Sequence, residues 1–190
     1  MKKYIYLPLI LILNSCFCTY DITINNDGSA HIEINDWESH DGEQYEQSVG
    51  GEDFYSEYDA FKNSEVVSNY ERIEENGFYK VTYDINNVDS LENYLFPLNS
   101  MESGTAPTSF KYENEQFIIT HVFEEDGPND ATMYGEFIPL RVIFRFKKDI
   151  VSFSSELDFV KQINKRELEI NTDLNTISYG KGTKKVIVSF

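Results

Sequence analysis

Cysteine is scarce in this chain of 190 residues: Cys16 and Cys18 are its only two. With a single residue between them they cannot build a disulfide framework. Proline occurs five times and glycine ten, far from a collagen-like or low-complexity composition. Positive charge is also short. Sixteen Lys and Arg stand against 33 Asp and Glu, a formal net charge of −17. That balance argues against a nucleic-acid binder, which gains affinity by releasing counterions from phosphates. No apolar run reaches the ~20 residues that a helix needs to cross a bilayer. What the chain does have is aromatic residues: 14 Phe, 13 Tyr and one Trp, within 41% hydrophobic content. This is enough apolar surface for one good core in a single domain, and too little for two large ones.

The beginning of the chain has a different character. Lys2 and Lys3 precede Ile5, Leu7, Leu9, Ile10, Leu11, Ile12 and Leu13, an apolar block containing Pro8. A basic start and a short apolar core are the marks of a secretory signal. It closes on Leu13-Asn14-Ser15-Cys16, which resembles a bacterial lipobox: a small residue precedes a cysteine that is lipidated and becomes the new N-terminus. Cys18 suits that role poorly, because Phe17 would fill the small-residue position. The expected organisation is a signal peptide over 1–15 and one periplasmic domain over 16–190. Cys16 then serves attachment, since each buried acyl methylene is worth about 0.8 kcal/mol. Surface-exported lipoproteins of the Bacteroidota typically carry acids just after this cysteine. Here Phe17, Cys18, Thr19 and Tyr20 come before a single Asp21, which favours a periplasm-facing protein at the outer membrane.

Charge is distributed unevenly. Between Tyr4 and Phe61 there are twelve acids and no Lys or Arg, whereas Arg141 to Phe190 holds ten basic residues against six acids. The basic end either neutralises the acidic body within one fold or faces anionic headgroups or a partner.

Alternating apolar positions mark strands along most of the domain. Thr19–Asn25 and His31–Asn35 form an opening hairpin around Asn26-Asp27-Gly28, where Asp-Gly suits a type I′ turn. Asp36–Asp53 reads as an acidic loop. Phe54, Tyr55, Tyr58 and Phe61 are spaced as on a helix. A second hairpin joins Val66–Glu74 to Phe78–Ile85 through Asn76-Gly77. Asp89–Tyr94 has a capping-box pattern, with Asp89 as N-cap and Glu92 three residues on. A third hairpin turns at Asn114-Glu115. Leu140–Phe146 is the strongest strand, with Val142, Phe144 and Phe146 on one face and Arg141, Ile143, Arg145 and Lys147 on the other. Ile150–Phe153, Arg166–Ile170, Thr176–Tyr179 and Val186–Phe190 complete the sheet, while Phe159–Asn164 fits either a strand or a short turn. The expected class is α+β: an antiparallel meandering sheet with about two short helices packed on it.

The lipobox, the DITINNDGSAHIEI hairpin, the FYKVTYDINNVDSLENYL unit and the RVIFRFKKDIVSFSS strand together resemble LppM-like and related uncharacterised lipoproteins of bacterial envelopes. The resemblance covers most of the mature chain as a pattern of elements. It implies contact with envelope lipid and supplies no catalytic residues.

Motifs for chemistry are thin. His31, His40 and His121 are scattered without metal-ligand spacing, so no metal or cofactor is expected. Counting back from the glycines of the three Asp-Gly pairs places Thr23, Trp37 and Val122 where an EF-hand needs Asp. The carboxylates of Asp36, Glu38, Asp41 and Glu43 could hold calcium only loosely. No Gly-x-Ser-x-Gly elbow occurs, and Ser178-Tyr179-Gly180-Lys181 sits at a hairpin tip rather than on the helix turn its chemistry would need. Two candidate binding surfaces stand out. One is aromatic, with Trp37, Tyr45, Tyr55 and Tyr58 around the acidic loop, suited to sugars or a partner. The other is the cationic set Arg141, Arg145 and Lys147, which also fits a charge-protected strand edge. The leading expectation is a non-catalytic, lipid-anchored binding module for a lipid or apolar ligand or a protein partner in the envelope. The alternatives are a carboxylate-based hydrolase of envelope glycans and a purely structural lipoprotein.

Overall fold

The computed structural model describes residues 17–37, 58–75, 78–95, 108–123, 139–173, 176 and 181–190. Their strands are β1 (Phe17–Ile24), β2 (Ala30–Trp37), β3 (Val67–Glu75), β4 (Phe78–Ile85), β5 (Thr108–Glu113), β6 (Gln116–Val122), β7 (Pro139–Phe146), β8 (Ser152–Ser155), β9 (Val160–Asn164), β10 (Glu167–Asp173) and β11 (Thr183–Ser189). They build two sheets, a seven-stranded one in the order β3-β4-β2-β1-β7-β10-β9 and a four-stranded one in the order β5-β6-β11-β8.

This corrects the expected α+β class. The protein is mostly β, and its large sheet is mixed, because β1 pairs parallel with β7 from Cys18↔Leu140 to Ile24↔Phe146. Of the two expected helices, the stretch from Phe54 to Asn63 is helical at Tyr58 and Asp59 and ends in a 3-10 turn, Ala60–Asn63, while Asp89–Tyr94 falls in a second 3-10 turn, Val88–Asn93. Within the second, Val88 and Leu91 are both fully buried. A repeat of three matches the 3-10 period and brings one side per turn to the core. Asn87, not Asp89, caps this turn: its side chain accepts from the Asp89 N–H at 2.9 Å. Ahead of the first, Tyr58 again stands three residues from a ring that meets the core, Phe61, and residues 54–57 lie outside the described residues.

The hairpins follow from their turns. Between β1 and β2, the Gly28 N–H donates to the Asn25 carbonyl at 3.1 Å and the Asn25 N–H to the Ser29 carbonyl at 2.9 Å. Only Gly28 in this loop has positive φ, +83°. That is a three-residue loop with a glycine bulge rather than the expected type I′ turn. Asn114 and Glu115 do both take positive φ, 50° and 59°, and join β5 to β6 as a two-residue turn. β2 continues through Asp36 and Trp37, so the acidic stretch begins later than its composition suggested, and 38–53 lie outside the described residues. Phe159–Asn164 resolves as strand β9, and of Thr176–Tyr179 only Thr176 is described.

The core lies between the sheets. Tyr20, Ile22 and Ile24 of β1, Val142, Phe144 and Phe146 of β7, and Leu168 and Ile170 of β10 turn toward Phe110, Phe117, Ile119, Val186 and Val188 of the smaller sheet. Ring contacts tie the layers together: Phe117 to Phe144 at 5.2 Å, Phe117 to Phe146 at 5.5 Å and Phe110 to Phe144 at 5.9 Å between centroids. Toward β4, the same inner face is covered by Tyr58 and Phe61. The Tyr58 and Tyr20 hydroxyls meet at 3.1 Å, so neither buried phenol is left without a polar neighbour. Tyr83 donates to the Tyr94 carbonyl, and its burial pushes the phenol far above its ordinary range.

Truncating a ring at the layer contact should be costly. Phe144→Ala should lower unfolding free energy by about 3–5 kcal/mol, read from urea denaturation, while Lys147→Ala stays within about 0.5 kcal/mol.

Candidate functional site

One face of the seven-stranded sheet packs on the core and the other is polar and half-exposed. Strand alternation assigns the side chains. Outward stand Thr19, Asp21 and Thr23 of β1, His31, Glu33 and Asn35 of β2, Lys80, Thr82 and Asp84 of β4, and Arg141, Ile143 and Arg145 of β7, alongside Glu167 and Glu169 of β10. Where β7, β10 and β9 meet, Arg141, Ile143, Arg145, Ile163, Glu167 and Glu169 line a shallow open groove of about 240 Å³. Ile163, on edge strand β9, is 53% exposed.

Charge on this face is paired. Arg145 grips Asp21 with two N–H groups, Nε to Oδ1 at 2.8 Å and Nη2 to Oδ2 at 2.6 Å, and its remaining terminal nitrogen bonds Glu167. These hydrogen bonds, Asp21 first, hold the guanidinium above even its ordinary range. Arg141 donates from Nε to Glu169 Oε1 at 2.7 Å. A second network crosses β2 and β4. His31 Nδ1 lies 2.6 Å from Asp84 Oδ1, Asn69 donates to Asp84 Oδ2 at 2.6 Å, and Lys80 bonds Glu33. Asn69 reaches across from β3 because it occupies an irregularity there, at φ 53° with the register shifting between Ser68 and Glu71.

The sequence-derived residues are dispersed by the fold. Arg141 and Arg145 share one face as expected, but on a strand flanked by β1 and β10 rather than at a sheet edge. Lys147 lies past the end of β7 and is exposed. Tyr58 is in the core, 2% exposed. Trp37 ends β2, and Cys16, Tyr45 and Tyr55 lie outside the described residues. Asp21, Glu167 and Glu169, the partners of the two arginines, were not singled out from sequence. The signal was present as acids at period two in Glu167-Leu168-Glu169, but nothing local pairs that strand with β7. His121 is buried in the second sheet, with Nδ1 2.7 Å from Thr108 Oγ1.

Comparison with known proteins adds little. No family model matches the chain, and no curated protein matches it. Among solved structures, the fold is similar to the NMR structure of the folded domain of LppM from Mycobacterium tuberculosis. Identity is 11% and the TM-score 0.48, with 100% of this chain and 96% of that chain covered. The resemblance read in the sequence thus meets a structural neighbour of the same name, at a level that shows neither family membership nor function.

Two outcomes test these electrostatics. A double-mutant cycle on Asp21→Ala and Arg145→Ala should give a coupling of about 1 kcal/mol that shrinks with added salt; zero coupling at low salt would contradict the clamp. At the turn end of the molecule, three exposed carboxylates are held below their ordinary range: Asp27 by the Ser29 hydroxyl, Glu115 by Lys148 and Asp149 by Arg166. Lowered folded values mean stability that is present above the unfolded carboxylate range and lost as pH falls through the folded one. Melting temperature should therefore hold steady from neutral pH down to about pH 5 and fall below about pH 4.

Proposed function

We propose that this protein is a lipid-anchored bacterial envelope lipoprotein, held by acyl chains on Cys16 and facing the periplasm at the outer membrane, whose domain binds a protein partner without catalysis. The observation that carries the anchored reading is the chain order. Leu13-Asn14-Ser15-Cys16 closes a short apolar run behind two lysines, and strand β1 follows from Phe17. The binding reading is supported by the two faces of the large sheet. Its inner face is filled by rings from the smaller sheet, whereas the groove on its outer face has charged side chains at four of six lining positions. Such a lining suits the polar surface of a protein better than an acyl chain.

Metabolic labelling with an alkyne fatty acid tests the anchor. The full chain should take up label and follow the membrane fraction, and Cys16→Ala should lose both. An unlabelled wild-type chain would overturn the reading. A photo-crosslinking residue placed at Ile163 in living cells should give discrete protein adducts that the same probe at Lys111 does not give, and adducts equal at both positions would contradict a partner at the groove.

A further inference from the structure

The two arginines on the outer face of β7 stand four residues apart, about 13 Å along an extended strand, with Ile143 midway between them. They are engaged to different degrees. Arg145 bonds through all three of its nitrogens, to both Asp21 oxygens and to Glu167. The second Glu167 oxygen accepts from Asn164, so at that end of the groove every guanidinium nitrogen and carboxylate oxygen is already bonded. Arg141 bonds through Nε alone, to Glu169 Oε1 at 2.7 Å, and its two terminal nitrogens take no partner among the described residues.

The charge balance of the two ends differs in the same sense. Lys161 of edge strand β9 is in register with Glu169 on the outer face, and it too has no ion pair among the described residues. Two cations, Arg141 and Lys161, thus share the single acid Glu169, whereas Arg145 meets the two acids Asp21 and Glu167. The Arg141 end keeps one positive charge in a chain whose formal net charge is −17. Between the ends lies an apolar floor. Ile143 on β7 and Ile163 on β9 flank β10, about 10 Å apart across two strand spacings. The register shifts between Glu167 and Leu168, which pair with Asn164 and Gln162, so Ile163 is the extra residue of a bulge. Such a bulge re-aims a side chain, and Ile163 is 53% exposed at the groove.

We infer that the Arg141 end of the groove is a carboxylate-binding site, taking an Asp, Glu or C-terminal carboxylate of a different protein while an apolar group beside it rests on Ile143 and Ile163. The inference rests on the reading of this groove as a partner surface, and it names what the partner presents there. Glu169 is the more buried member of its pair, 17% exposed against 40% for Arg141, and holds the guanidinium from below. The two terminal nitrogens are left as a planar fork, the geometry that meets both oxygens of a carboxylate. A guanidinium already held by Glu169 loses less freedom on binding than a loose one. Lys161 adds its charge at the rim. A cationic group of a partner would instead meet two like charges there.

The photo-crosslinking residue at Ile163 of the full chain, in living cells, tests the site when the crosslinked partner segment is sequenced by mass spectrometry. Adducts that the Lys111 probe does not give should map to a segment carrying a carboxylate next to an apolar residue. Arg141→Gln should lower their yield about tenfold, as expected for lost charge-assisted bonds, and Arg141→Lys should restore only part of it. Lys161→Glu should lower the yield about fivefold, because it sets like charges face to face. Lys161 is exposed and bonds nothing among the described residues, so its variant separates lost binding from lost fold. Adducts that Lys161→Glu leaves unchanged overturn the carboxylate site and leave the partner reading standing, as does a mapped segment without a carboxylate. A segment from a second copy of this chain overturns the assignment to a different protein. Absent adducts at Ile163, or equal adducts at Ile163 and Lys111, overturn the partner reading and the inference together.

Discussion

The parallel pairing of β1 with β7 is the constraint on which the rest of the molecule depends. It joins the first strand of the domain to a strand more than a hundred residues later, register-locked from Cys18↔Leu140 to Ile24↔Phe146. Closing so long a loop costs entropy, although the cost grows only with the logarithm of loop length. On one side the pairing is held by burial of Ile22, Ile24, Val142 and Phe144, each 1% exposed or less. On the other, Arg145 clamps Asp21 and Glu167, bridging β1, β7 and β10. Slipping the register by one residue would turn every one of these side chains to the wrong face. The smaller sheet depends on it too, since Phe110 and Phe117 rest on Phe144.

That central pairing also decides what the outer face offers. Because β7 is an interior strand, its arginines meet acids from both neighbours, and a row that looks cationic in sequence becomes a set of ion pairs around Ile143. Among the described residues, the outer strands of the large sheet are β3 and β9. β3 carries the irregularity at Asn69, and β9 is short and ends in the Lys165-Arg166 turn, both common defences against edge-to-edge association. Ile163 remains exposed on β9, beside the groove.

The parts of this fold that were legible in sequence are those whose causes are local. The hairpins at Asn26-Asp27-Gly28, Asn76-Gly77 and Asn114-Glu115 all join paired strands, since turn chemistry and period-two alternation act within a few residues. The inward set Val142, Phe144 and Phe146 was legible for the same reason. What failed was non-local. No signal in Tyr20-Ile22-Ile24 says that its second neighbour is β7, so a meander of antiparallel strands looked sufficient. The helix expected at Asp89–Tyr94 failed because apolar residues three apart, Val88 and Leu91, fit a single 3-10 turn as well as an α-helix, and only packing distinguishes them. In the candidate site, the arginines were visible and their partners were not, because Asp21 lies on another strand far away in sequence. Tyr58 was grouped with surface aromatics by proximity to acids, whereas its contact with Tyr20 places it in the core.

Under the proposed anchoring at Cys16, the tether and the central strand are adjacent in the chain, so a pull on the tether would load the β1–β7 pairing first. Amide hydrogen exchange on the full mature chain tests this most directly. The account predicts that amides of β1 and β7 exchange together, among the slowest in the protein, through an opening as costly as global unfolding. Fast exchange of the β1–β2 hairpin while β7 and β10 remain protected would show that the first hairpin opens independently, and would contradict the account.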